Sequence, residues 1–273
     1  MEITKQINEL RKLRHNPNQQ FYDDINKLIN ICFQENRLTD LISLYVLNAV
    51  GMSHQSRSEE SAQNYQKVIK ILEENPDNIE IKRLANRVLG SYYWNFCQYD
   101  QALECFMTAL DLEEEDEVRL NIKHKIAMTY FKKSDYPRSI RYFEEVYQKR
   151  DSIKDLSFKA EFLTWYAIFL NETGYSDPSL KMAQEALEVN RLINNPNGIA
   201  TNFNTIGLIH KALGYYDQAL KYYHESEKYA SLTNSSIQLA NIYNNLSMVY
   251  KANNELDKAI EYCQLSITFR KKN

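Results

Sequence analysis

A small residue returns in step along the later part of this chain. Ala102, Ser139, Ser179, Ala219 and Ala259 follow one another at spacings of 37, 40, 40 and 40. Four residues after each stands Phe106, Phe143, Ala183, Tyr223 or Cys263. Twelve before each stands a second small residue, Gly90, Ala127, Ala167, Gly207 or Ser247. A turn position recurs as Gly174, Gly214 and Asn254. Small residues let two antiparallel helices approach closely, and the ring four positions on fills the gap to the next pair. No such pair buries its apolar face alone, so the pairs must stack.

Composition agrees with long helices. The 273 residues include only 6 Gly and 5 Pro, whereas a sandwich or barrel needs a turn every 8–12 residues and would use more of both. Pro137 and Pro178 fall where second helices should begin, a position at which the missing N–H costs nothing. The 20 Tyr suit helix seams that reach the surface, because each ring has one polar end.

Leu89, Gly90, Tyr93, Ala102 and Phe106 meet the pattern Leu-Gly-x-x-Tyr followed by Ala-x-x-x-Phe. In this the chain resembles the tetratricopeptide repeat. The usual early Trp is replaced by Asn86, Lys123, Leu163, Phe203 and Tyr243, the late Pro is absent, and the period is 40 rather than about 34. The resemblance implies an all-α, right-handed α-solenoid of about seven antiparallel helix pairs. Five repeats are expected at about 83–116, 120–153, 160–193, 200–233 and 240–273, within a segment 79–273. Residues 1–78 read as two divergent pairs that cap it: Phe21, Ile25, Leu28, Ile29 and Cys32 mark one amphipathic face, and Ala62, Tyr65, Ile69 and Leu72 another.

Several function classes find no support. A net charge of −3 argues against binding driven by phosphate neutralisation, and the N-terminal region shows neither helix-turn-helix spacing nor a cluster of base-reading side chains. No apolar run approaches the ~20 residues of a membrane span. Met1-Glu2-Ile3-Thr4-Lys5 lacks the layout of a secretory signal, so a cytoplasmic protein is expected. Cys32, Cys97, Cys105 and Cys263 form no CxxC pair and read as reduced thiols. His15, His54, His124, His210 and His224 fall on different repeats or faces, and no metal-binding or phosphate-loop motif occurs. The run Glu113–Glu117 reads as a solvated loop. The expectation is a non-enzymatic protein without metal or cofactor.

In the family the first helix of each repeat lines a concave groove. Carried over position by position, the resemblance implies groove residues Asn121, His124, Lys125, Trp165, Asn171, Asn204, Lys211, Asn241, Asn244, Asn245 and Lys251. Asn suits peptide capture, since its amide sets a donor beside an acceptor. Lys211 and Lys251 could hold an acidic group, and Trp94, Phe131 and Trp165 an apolar side chain. Asn is frequent throughout the chain, so compositional drift competes with this reading for any one of them. The Lys-Asn-Arg carboxylate clamp of chaperone-binding members is not matched.

In the last repeat the surface position held earlier by Thr108, Glu145, Glu185 and Glu225 becomes Leu265. Tyr262, Leu265 and Phe269 then form an apolar stripe, apart from a Leu256, Ala259, Ile260 and Cys263 stripe expected to face its own partner helix. The first stripe is expected to form an interface, either with a second copy or with a domain beyond this sequence. Together these readings predict a regulatory module holding a protein or peptide in its groove. The alternatives are an input domain of a larger signalling enzyme such as a nucleotide cyclase or kinase, and a pure assembly scaffold. Similar 40-residue repeats occur in bacterial peptide-pheromone receptors and ahead of bacterial signalling enzymes.

Overall fold

The computed structural model describes residues 2–14, 17–55 and 57–271. Of the residues named above, Met1 and His15 lie outside the described residues, as does the side chain of His54. The described residues are all-α: fourteen α-helices, one short 3-10 turn and no strand. They fall into two compact units, 1–146 and 147–273.

The first unit holds α1 (Glu2–Leu13), α2 (Gln19–Gln34), α3 (Leu38–His54), α4 (Ser58–Glu74), α5 (Ile79–Asn95), α6 (Tyr99–Leu112), α7 (Asp116–Lys132) and most of α8 (Tyr136–Gln148). Consecutive helices pair, and α3, α5 and α7 also touch in sequence, as first helices of stacked pairs should. The second unit holds α9 (Leu156–Glu172), α10 (Ser176–Leu192), α11 (Pro196–Ala212), α12 (Tyr216–Leu232), α13 (Ser236–Ala252) and α14 (Leu256–Arg270). Here α9, α11 and α13 play the same part.

Local chemistry sets where helices start and stop. Asn18, Asn78, Asp155 and Asn195 cap α2, α5, α9 and α11 by accepting backbone N–H groups, and Pro196 opens α11. At the turn inside each of the later pairs one residue takes the left-handed conformation: Cys97 (φ 58), Ser134 (φ 59), Gly174 (φ 87), Gly214 (φ 79) and Asn254 (φ 63). The next N–H then reaches back to close the helix, as Gln98 N does to Tyr93 O (2.9 Å) and Tyr215 N to His210 O (2.9 Å).

The recurring small residues are where helices meet. A Cβ on Gly90 would lie 2.6 Å from the Phe106 ring, and one on Gly207 would lie 2.6 Å from the Tyr223 ring. Where the second-helix residue is Ser, its hydroxyl donates to the carbonyl twelve residues upstream: Ser139 Oγ to Ala127 O (2.9 Å) and Ser179 Oγ to Ala167 O (2.7 Å). Ser61 Oγ does the same to Ala49 O (2.9 Å). The pair α3/α4 is therefore built on the same register as the later pairs, with Tyr65 buried where Phe106 stands 41 residues on. At the far end of later pairs Ser226 Oγ donates to Ala200 O (2.6 Å) and Ser266 Oγ to Ala240 O (2.8 Å).

Two expectations are corrected. The acidic run is a solvated loop only at Glu114 and Glu115. Glu113 is buried, with Arg83 Nη1 at 3.4 Å and Arg87 Nη1 at 3.8 Å, and its Oε1 accepts from the N–H groups of Glu114 and Glu115. Asp116 and Glu117 already belong to the first turn of α7, where the helix end favours anions. The two apolar stripes of α14 are also exchanged. Tyr262, Leu265 and Phe269 pack onto α13: the Tyr262 ring stacks on Tyr250 (5.3 Å between centroids), and Phe269 lies 5.5 Å from Tyr243. The solvent-facing stripe is Leu256, Ile260, Cys263 and Ile267. Aromatic stacking across the pair outweighs the aliphatic stripe for the inner position, because large rings bury more area.

Candidate functional site

The second unit brings together the amides expected from the sequence. Ile199, Phe203, Ile206 and Ile209 turn one face of α11 inward, and Leu239, Ile242, Leu246 and Val249 do so for α13. That phase places Asn204 half-buried on α11, with Asn245 beside it on α13, while Asn241 and Asn244 are exposed. Asn245 Nδ2 donates to Asn204 Oδ1 at 2.9 Å, which leaves the rest of each amide to the surface. Gln238 Nε2 donates to Thr201 Oγ1 (2.9 Å) and to Asn197 O (3.0 Å), whereas its Oε1 has no hydrogen-bond partner among the described residues.

Thr201, Asn204, Gln238 and Asn241 line an open depression of about 90 Å³, with Ala200 and Ser226 beneath. Small-molecule sites typically occupy about 300–1,000 Å³. This one admits a single small side chain, and the polar groups lie along its rim.

Lys211 and Lys251 sit in the last turns of α11 and α13, and neither has a carboxylate partner among the described residues. Next to Lys211, His210 lies flat against Tyr222, centroids 5.1 Å apart, and burial holds its pKa below the usual imidazole range. On α12, the His224 hydrogen bond lowers the pKa of Glu227. Burial first, and Glu227 second, raise the Tyr243 phenol to about 12.

Other expected groove residues are elsewhere. His124 is fully buried, 6.1 Å from the Phe143 ring, and cannot face a groove. It shares a register position with Asn204, but in α7 that position is closed over by α8. Asn121 and Lys125 are half-buried on α7 of the first unit. Trp94, 6.5 Å from the Tyr99 ring, and Phe131, 6.1 Å from the Tyr136 ring, are engaged in packing there. In the second unit Trp165 and Asn171 are half-buried on α9.

The sequence reading passed over a buried amide network next to the cluster. Asn190 Nδ2 donates to Asn202 Oδ1 (2.7 Å), Asn202 Nδ2 to Thr164 Oγ1 (2.7 Å), and Asn195 Nδ2 to Asn190 Oδ1 (2.9 Å). Turned over, the Asn202 amide would instead donate to Gly198 O at 2.9 Å and accept from Thr164 Oγ1 at 2.7 Å. The turned orientation is the better satisfied one, because it sets the amide nitrogen rather than the oxygen against Gly198 O, as a fully buried amide requires. Gly198 makes room, since a Cβ there would lie 2.1 Å from Asn190 Oδ1. The signal was available: Asn202 follows Ile199 and precedes Ile206 in the apolar register of α11.

With helix pairs, close-packing residues and left-handed turns in place, comparison with known proteins settles the fold. Tetratricopeptide-repeat models match residues 88–116 and 198–272. Over these two stretches the chain carries tetratricopeptide repeats. No curated protein matches its sequence. Among solved structures, a Rap protein complexed with Competence and Sporulation Factor superposes with a TM-score of 0.76 at 16% identity, covering 98% of this chain and 76% of the other. Aspartyl phosphate phosphatase F from Bacillus subtilis gives 0.63 at 16% identity, covering 99% and 74%. A signal-transduction ATPase from Pyrococcus horikoshii with a tetratricopeptide-repeat sensor gives 0.67 at 17% identity, covering 93% of this chain and 40% of the other. At these identities the likeness is one of fold: an all-α tetratricopeptide-type solenoid, a scaffold that generally binds proteins. No helix among the described residues is long and apolar enough to cross a membrane.

Proposed function

We propose that this protein is a regulatory binding module without catalysis of its own, holding an extended peptide or a partner's flexible segment against α11 and α13. The observation that carries this reading is the group Asn204, Asn241, Asn244 and Asn245 on adjoining helices, of which Asn204 and Asn241 line a depression too small for a metabolite. Paired amides offer a donor and an acceptor at the spacing of a peptide group, and so grip a main chain whatever its side chains. Lys211 and Lys251 add two cations free to take an acidic side chain or a terminal carboxylate. A solved neighbour, the Rap protein complexed with Competence and Sporulation Factor, fits the same reading. Cytoplasmic residence belongs with this proposal.

A second reading is a sensor segment serving a larger signalling protein. It is favoured by the likeness to the repeat sensor of a much longer ATPase chain. In both readings the amide face is the input surface.

The test uses an arrayed library of unstructured peptides. Peptides retained by the full chain are titrated by calorimetry against the chain carrying Asn204→Ala with Asn244→Ala. Each lost amide hydrogen bond is worth about 1 kcal/mol, so affinity should fall about tenfold or more while helicity and melting stay the same. Unchanged affinity overturns the groove reading.

A further inference from the structure

The outer face of α14 carries Leu256, Ile260, Cys263 and Ile267 at i, i+4, i+7 and i+11. Leu256 is 54% exposed, Ile260 57% and Ile267 49%, and Cys263 is exposed as well. Forty residues earlier the same face of α12 has Glu227 at the fourth position and carries Tyr216, Leu220 and Tyr223 at the other three. There it is covered, because these side chains pack into the core that α13 completes. The face on α14 is thus one that this architecture builds to receive a helix. A solenoid end exposed to water needs a polar outer surface instead.

Charge identifies what fits it. Asp257 flanks the start of the stripe, and Arg270 and Lys271 flank its end. None of the three forms an ion pair among the described residues. Lys258 is occupied by Glu255 at 2.7 Å on the opposite side of the helix. The stripe has near-symmetry about Cys263, with Ile260 three residues before it and Ile267 four after. An antiparallel copy of α14 centred there sets Ile260 against Ile267 and brings the acidic start against the basic end, twice over. Such self-complementarity is what a two-fold interface demands.

We propose that this face pairs with the same face of a second copy of the chain, the two α14 helices antiparallel about a two-fold axis beside Cys263. A single helix pair buries less than the roughly 1,200–2,000 Å² of a stable standard interface, so the dimer should dissociate on dilution. The proposal is independent of the amide face.

Sedimentation of the full chain should show the 32.2 kDa monomer giving way to about twice that mass as concentration rises through the micromolar range. Ile260→Glu with Ile267→Glu should hold it monomeric at every concentration, with unchanged helicity and melting because both positions face water. In a Cys97→Ser background, mild oxidation should link the dimer covalently, and Cys263→Ser should abolish the link. Four results overturn the proposal. They are a wild-type monomer throughout, association that survives the paired glutamates, association without the Cys263 link, and masses that climb past two copies. The last would point to head-to-tail docking into the open trough between α1 and α2.

Discussion

The two units build the same helix pairs with different polar chemistry. In the first, the tie beneath α5 is ionic: Arg83 and Arg87 close on a buried Glu113, and Lys123 reaches Glu145 at 2.6 Å. In the second, Asn190, Asn202 and Thr164 tie α9, α10 and α11 without any charge. An ionic tie needs its counter-charge to stay put, because a buried unpaired charge is costly. An amide tie has no such demand. It leaves the neighbouring face free to present further uncharged donors and acceptors, and that is where Asn204, Asn241, Asn244 and Asn245 lie.

The sharpest way to break this comparison is at the ring that fills each pair, which should matter equally in both units. Phe106 and Tyr223 are both buried against a glycine. Phe106→Ala and Tyr223→Ala should each cost about 3–5 kcal/mol, read by denaturant unfolding. The Tyr223 hydroxyl has no hydrogen-bond partner among the described residues. Tyr223→Phe should therefore gain about 1 kcal/mol, which also separates loss of the ring from loss of its oxygen.

A smaller effect distinguishes the ties themselves. Glu113→Gln and Asn202→Ala should each cost about 1–3 kcal/mol. Only the first should shrink as salt rises from low ionic strength to 1 M, since screening acts on the partly exposed arginines and not on a buried amide. Equal salt dependence would erase the distinction between the units.

The smallest effect concerns turns. The left-handed position is Cys97 and Ser134 in the first unit and Gly174 and Gly214 in the second. Cys97→Gly and Ser134→Gly should each stabilise by about 0.5–1 kcal/mol, and Gly174→Ala and Gly214→Ala should each destabilise by about 1 kcal/mol, measured as shifts in the urea midpoint.

The repeat made the fold legible, because contact between Gly207 and Tyr223 depends only on spacing. Turns were legible where glycine marked them and hidden at Cys97 and Ser134, which pay the left-handed strain without a compositional sign. The α3/α4 pair shares the register through Ala49, Ser61 and Tyr65. It went unnoticed because those residues lack the glycine and phenylalanine of the later pairs. Which α14 stripe faces inward was not legible. Two apolar stripes compete, and stacking with Tyr250 and Tyr243 decides between them. In the candidate site, the positions carried over from the family put Asn204 and Asn245 on first helices of successive pairs, and their hydrogen bond was not foreseen. The same carry-over misplaced His124, since whether a first-helix position is open depends on how closely the next helix covers it. Asn202 escaped because a satisfied amide in an apolar register looks like an interruption until its partners from two other helices are seen.

The serine clasps have a kinetic consequence. Ser61, Ser139 and Ser179 each fasten to a carbonyl only twelve residues back, so each hairpin can latch as soon as its own turn has closed. Short loops close fast and carry little entropic cost. A chain leaving the ribosome should therefore lock hairpin by hairpin in order of synthesis. Ser226 and Ser266, which reach back twenty-six residues, button the open ends afterwards.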